Sequence, residues 1–186
     1  MSDPSGGSTP PAGGSTSPPG GSTSSHDTPY VAVIGASNAT EWELDTAEAL
    51  GHLLAEAGCV LVCGGLGGVM NAAARGAEAG GGISIGILPH DDRQLASRHL
   101  TVAIATGFGE ARNAIVARSA DAVVAVGGEF GTLSEIALAL KMGTPVIGVG
   151  TWELGRDDMD RDPIVRVDTP EQALAHLHRL FPTLGG

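Results

Sequence analysis

Glu135 stands three residues after Thr132, and both follow the run Gly127-Gly128-Glu129-Phe130-Gly131. The apolar stretch Ala122–Val126 leads into that run, and a stretch with helical spacing leaves it. Glycines between a buried strand and a helix let backbone amides close on a ligand. The helix behind adds free N–H groups and the positive end of its dipole, so the loop reads as an anion cradle. Thr132 is placed to cap the helix and to donate its hydroxyl to a phosphate oxygen. The T-x-x-E spacing gives Glu135 two readings. It is a capping-box partner that returns a hydrogen bond to the helix start, or a carboxylate aimed into a phosphate cleft for acid–base chemistry or ribose contact. Arg112, on the preceding helix, is either a surface arginine or a guanidinium that pairs with an anion or balances Glu135.

Two further loops have the same form. Gly35-Ala36-Ser37-Asn38 follows the first apolar run and Gly64-Gly65-Leu66-Gly67-Gly68 the second. Gly35, Ser37, Gly64, Gly65 and Gly68 therefore join Gly127, Gly128, Gly131 and Thr132 as candidates for holding a phosphorylated ligand. No GK[ST] sequence occurs, and no spaced GxGxxG with an acid on the next strand. ATP hydrolysis and ordinary NAD chemistry both lose ground on that count.

The elements that must position these loops repeat from Tyr30 onward: a short apolar run, a glycine-containing turn, an amphipathic helix. Strands are expected at Tyr30–Ile34, Val60–Cys63, Ile83–Leu88, Thr101–Ala105, Ala122–Val126, Pro145–Val149 and Ile164–Val167. Several are continuous apolar runs, as in strands of a parallel sheet covered on both faces. Helices are expected at Glu41–Ala57, with Thr40 and Glu43 as a capping box, and at Val69–Ala79, Glu110–Ser119 and Thr132–Met142. Thr169-Pro170-Glu171-Gln172 opens a last helix with a cap, a proline in the first helical position and another capping-box acceptor. Alternating strands and helices predict an α/β fold, a single Rossmann-like doubly wound parallel sheet with helices on both faces. Its ligand belongs at the carboxyl ends of the strands.

The 186 residues suit one such domain. Residues 1–28 read as a disordered Gly/Ser/Pro-rich tail in which GGST recurs at Gly6, Gly13 and Gly20. Residues 29–186 read as the folded, nucleotide-binding domain. The net charge of −11 argues against a nucleic-acid partner, which needs clustered Lys and Arg. A small anion bound at a helix N-terminus needs no such surface. No apolar run approaches the roughly 20 residues that span a bilayer, and the N-terminus lacks a signal peptide's apolar segment. Only Cys59 and Cys63 are present, so there is no disulfide framework. The expectation is a soluble cytoplasmic protein.

The segment ARNAIVARSADAVVAVGGEFGTLSEIALAL resembles the signature of the LONELY GUY family, often labelled lysine decarboxylase-like, within the SLOG superfamily. That signature is an arginine on a helix, an Ala-Asp-Ala strand start and PGGxGTxxE. Arg112 and Glu135 match the family's catalytic arginine and glutamate, and Gly131-Thr132 match its GT. CGGLGGVMNAAARGA is similar to the family's GGxxGLMGxxA loop over Gly64, Gly65, Gly68, Met70 and Arg75, which adds Met70 to the ligand-binding candidates. The closer match is a bacterial branch with a GGGxGTLSE loop that is similar to the molybdenum cofactor carrier proteins and more distantly to the DNA-processing protein A fold. Two departures stand out. Gly127 and Glu129 replace the family's proline and second glycine, and Asn113 replaces a usual lysine.

The resemblance implies one of two functions. A phosphoribohydrolase would cleave the N-glycosidic bond of a nucleoside 5′-monophosphate, with Glu135 opposite an oxocarbenium-like transition state and Arg112 positioning the substrate or Glu135. A carrier would hold a phosphorylated pterin, like the molybdenum cofactor, or a nucleotide without breaking it. No other cofactor is implied. The apolar succession Ile136-Ala137-Leu138-Ala139-Leu140 covers more than one helix face and predicts a homo-oligomer, a dimer or tetramer. His176 and His178, two apart on a helix, share no face and predict no metal site. Cys59 and Cys63 read as buried hydrophobes, and His90-Asp91-Asp92-Arg93 as solvated loop. Trp42 is a candidate for stacking on a base or for packing at a helix start.

Overall fold

The structure is a computed structural model that describes residues 28–184 except 156 and 159. The tail read over 1–28 lies outside the described residues apart from its last position. Among the described residues there are seven strands: β1 (Tyr30–Gly35), β2 (Val60–Cys63), β3 (Ile83–Leu88), β4 (Val102–Ala105), β5 (Ala122–Val126), β6 (Val146–Val149) and β7 (Val165–Val167). Five helices accompany them: α1 (Glu41–Glu56), α2 (Gly68–Ala79), α3 (Asn113–Arg118), α4 (Phe130–Met142) and α5 (Pro170–Leu180). All strands run parallel in one sheet of order β4-β3-β2-β1-β5-β6-β7. The chain winds outward from β1 to β4, then returns to place β5 on the other side of β1. The switch point thus lies between β1 and β5, where a ligand crevice is expected in such sheets.

The continuous apolar strands are explained by what covers them. Val31 and Val33 of β1, with Val124 and Val126 of β5, face Leu50, Leu54, Ala73 and Leu177 of α1, α2 and α5. Ala32, Ile34, Val123 and Ala125, the alternate residues, face Val116, Ile136 and Ala139 of α3 and α4. Each side chain in this doubly covered centre is buried (2% exposed or less), so neither strand face needs polar residues. No helix among the described residues is long and apolar enough to cross a membrane.

Thr40 and Glu43 form the expected capping box at the start of α1. Thr169 caps α5 by accepting from the Gln172 N–H, while the Gln172 side chain accepts from Asp168 rather than from the cap residue itself. Helices α1 and α2 approach through glycines: a Cβ on Gly51 or Gly76 would overlap the backbone of Ala73 or Glu48. That approach lets Arg75 Nε donate to Glu48 Oε1 at 2.8 Å, so Arg75 is spent between two helices.

Two expected helices differ in ways that matter. The helix read over Glu110–Ser119 is a 3-10 turn, Gly109–Arg112, followed by α3. The helix read from Thr132 begins at Phe130, two residues earlier. Glu129, with extended backbone (φ −103°, ψ −167°), takes the N-cap position and makes no side-chain cap bond. Thr132 therefore lies inside the first turn, and the T-x-x-E capping box does not form. β1 runs one residue longer than expected, and β4, β6 and β7 each begin one residue later.

Candidate functional site

The three glycine-bearing loops meet at the carboxyl ends of β1, β2 and β5. The first two are tied together: the Val69 N–H donates to Ala36 O at 3.0 Å, and a Cβ on Gly68 would overlap the Ala36 carbonyl oxygen. Between them and α4 lies a hollow of about 130 Å³ lined by Gly35, Ala36, Ser37, Leu66, Met70, Pro89, Glu110, Arg112, Asn113, Glu129, Gly131, Thr132 and Glu135. Seven of the residues expected at a ligand site line it: Gly35, Ser37, Met70, Arg112, Gly131, Thr132 and Glu135.

The other five are structural neighbours of the hollow. A Cβ on Gly64 would overlap the Arg112 guanidinium, and one on Gly65 would press on Leu88. Gly64 is thus the opening through which Arg112 reaches the cleft. Gly68 holds the first two loops together. Gly127 and Gly128 have their amides engaged within the chain. The Gly127 N–H donates to Val149 O at 3.0 Å, and the Gly128 N–H donates to Glu43 Oε1 at 3.1 Å. Gly127 has φ +54°, a backbone favoured by glycine. A side chain there would overlap the Glu43 carboxylate.

Arg112 and Glu135 face each other in the floor of the hollow. Arg112 is 7% exposed and Glu135 7%. Their closest approach, Arg112 Nη1 to Glu135 Oε1, is 3.8 Å, near enough for charge attraction and too long for a hydrogen bond. Arg112 Nε and Nη1 and Thr132 Oγ1 have no hydrogen-bond partner among the described residues. Buried donors are nearly always paired, and each one left alone costs on the order of 1–3 kcal/mol, more when charged. Arg112 and Thr132 both line the hollow, and the natural complement of such buried donors is an oxyanion.

Burial lifts the Glu135 carboxyl from its ordinary 4.5 to about 7, with Arg112 pulling it down and Glu110 adding to the rise. The group therefore holds a proton part of the time near neutrality, the range in which acid–base catalysis is most effective. Burial also raises the Cys63 thiol to about 11, leaving it a hydrophobe behind the loop. Asn113, 6% exposed, donates through Nδ2 to Ser134 Oγ at 3.0 Å. Ser134 in turn donates to Gly131 O at 2.8 Å. Asn113 thereby pins the first turn of α4 and brings no positive charge.

Leu66 and Pro89 belong to the lining although the sequence did not single them out. Pro89 directly follows the carboxyl end of β3, the place where the sheet rule puts ligand contacts. The exposed His90-Asp91-Asp92-Arg93 segment stays outside the lining. Trp42 lies against Gly150, also away from the hollow. A different aromatic pair flanks it: Phe130 and Trp152, with ring centroids 5.5 Å apart and planes at 37°.

Comparison with known proteins agrees with this geometry. The SLOG cluster4 family model matches residues 28–174. A protein of Archaeoglobus fulgidus is 42% identical over 149 residues, 77% of this chain and 91% of its own. A rice (Oryza sativa subsp. japonica) probable cytokinin riboside 5′-monophosphate phosphoribohydrolase is 38% identical over 90 residues, 47% of this chain and 37% of its own. Among solved structures, the molybdenum cofactor binding protein of Rippkaea orientalis superposes with a TM-score of 0.75 at 37% identity, covering 82% of this chain and 97% of that one. The molybdenum cofactor carrier protein of Chlamydomonas reinhardtii does so with a TM-score of 0.73 at 33% identity, covering 84% and 100%. With a family model that takes in every strand and the whole cleft, the chain belongs to the SLOG cluster4 family.

Proposed function

We propose that the cleft binds a small phosphorylated ligand and acts as a nucleoside 5′-monophosphate phosphoribohydrolase. The observation that carries this reading is the buried Glu135, held near neutrality beside the unpaired donors of Arg112 and Thr132. The phosphate sits on the first turn of α4, against Gly131 and Thr132, where free N–H groups and the helix dipole favour an anion. Arg112 neutralises it and keeps Glu135 in place. Water adds to C1′ of the ribose as the glycosidic C–N bond breaks, and the electron pair leaves with the base. Glu135 faces the developing oxocarbenium charge, accepts the proton of the attacking water and returns it to the departing base nitrogen. The products are the free base and ribose 5-phosphate.

The test is base release from AMP, followed by chromatography. Glu135→Gln should keep ligand binding and lose at least about 100-fold in turnover. Undiminished release by the variant would overturn the assignment.

A second reading has its own support. The likeness to the molybdenum cofactor proteins extends over 82–84% of the chain, whereas the likeness to the rice enzyme extends over 47%. In that reading the same donors hold a phosphorylated pterin that is carried and not cleaved. Thermal stabilisation by such a ligand, with no base released from AMP, would select it. Both readings place the protein in the cytoplasm with no nucleic-acid or membrane partner. Both also include a homo-oligomer formed on the outer face of α4, where Leu133 is half-buried and Ala137 exposed. Sedimentation as a monomer would overturn that part.

A further inference from the structure

Phe130 is 78% exposed, immediately beside a buried polar cleft. Its ring rests on Trp152, whose Nε1 donates to the Glu129 carbonyl at 3.2 Å. That bond anchors the indole to the same loop. The pair walls a second hollow, of about 500 Å³, lined by Gly128, Glu129, Phe130, Gly131 and Trp152. Glu129 and Gly131 line this hollow and the donor-lined cleft alike.

Gly131 joins the two. It is the second residue of α4, and glycine there costs helix stability relative to alanine. Its φ is not in the positive range, and a Cβ built on it meets nothing within 4 Å. Nothing among the described residues therefore requires the glycine. What the missing Cβ leaves is open space above the backbone, at the step between cleft and aromatic pair.

We propose that Phe130 and Trp152 form a stacking platform for the planar heterocycle of the ligand whose phosphate occupies the cleft, with the connecting part of the ligand passing over Gly131. The proposal rests on the phosphate reading of the cleft. Stacking on an exposed aromatic face accepts any flat ring, purine or pterin. The Glu129 carboxylate beside the platform offers an acceptor to the exocyclic amino group that adenine and pterin both carry.

The experiment measures binding of three probes to the full chain by calorimetry: ribose 5-phosphate, AMP and neopterin monophosphate. A ring-bearing probe should bind the wild type more tightly than ribose 5-phosphate, and the preference between AMP and neopterin monophosphate identifies the heterocycle. Phe130→Ala should weaken that probe on the order of tenfold and leave ribose 5-phosphate unchanged. Gly131→Ala should also weaken it, with the folded chain at least as stable to denaturant. Ribose 5-phosphate binding as tightly as both ring-bearing probes would overturn the platform and leave the cleft reading standing. So would an unchanged affinity in Phe130→Ala, including the case where sedimentation shows a shift to a smaller species and the face is a contact between copies. Failure of all three probes to bind the wild type would overturn the cleft reading and the platform together.

Discussion

The Glu43 carboxylate occupies the space that a side chain on Gly127 would need, and it accepts the Gly128 N–H through Oε1 at 3.1 Å. Its other oxygen accepts from the Thr40 N–H at 2.7 Å. One side chain thus caps α1 and fixes a loop 85 residues further along the chain. The glycine loop of β5 carries an internal carboxylate at its Gly128 amide, while Arg112 and Thr132 line the hollow. Glu43→Ala should cost about 1–2 kcal/mol, from the lost cap and the stranded Gly128 amide. Burial pushes the Glu43 carboxyl up, but the hydrogen bonds from Thr40 and Gly128 outweigh it and hold it below its ordinary value. Its contribution is therefore present at neutral pH and lost as pH falls through the carboxylate range. Urea unfolding of wild type and variant at pH 7 and pH 3 should show the difference shrinking at the lower pH.

Gly64→Ala tests how Arg112 enters the site. The added methyl overlaps the guanidinium and crowds Met70 Sδ. The expected cost is about 1–3 kcal/mol of stability, as for other overpacked sites. Ribose 5-phosphate affinity should fall by more than about tenfold, because the displaced donor carries a full charge. Denaturant titration and calorimetry check the two effects separately.

Much of this was legible in the sequence. The doubly covered strands announced themselves as unbroken apolar runs, and Thr40-x-x-Glu43 announced the start of α1. Arg112, Thr132 and Glu135 were singled out, and the fold brings them to one hollow. What was not legible depends on contacts distant in sequence. The same T-x-x-E spacing that caps α1 fails at Thr132 because the extended backbone at Glu129 starts α4 earlier. Glu43 has a second partner that no local pattern reveals. Trp152 belongs to an irregular stretch without periodicity, so only the fold shows that it meets Phe130. Gly64, Gly68 and Gly127 also make room for protein atoms, and a glycine required by protein atoms and one required by a ligand look the same in sequence.

Glu135 gives the stability a pH dependence of opposite sign to that of Glu43. A carboxyl raised from 4.5 to about 7 keeps its proton longer in the folded chain than in the unfolded one. Its stabilising effect is complete below pH 4.5 and is lost as pH rises toward 7. At about 1.4 kcal/mol per pH unit, this single group accounts for up to about 3 kcal/mol. Glu135→Gln removes the titration. The stability of wild type relative to this variant should therefore decline between pH 5 and pH 7.5 in denaturant titrations.

Thr132→Val tests the central claim most directly. Thr132 is 2% exposed and its hydroxyl has no hydrogen-bond partner among the described residues. Valine keeps the shape and removes the unpaired group. If the hydroxyl is there for a ligand, the variant should be as stable as the wild type or more so, by about 1 kcal/mol, and should bind ribose 5-phosphate on the order of tenfold more weakly. A variant that loses stability while binding ribose 5-phosphate as tightly as the wild type would contradict the account.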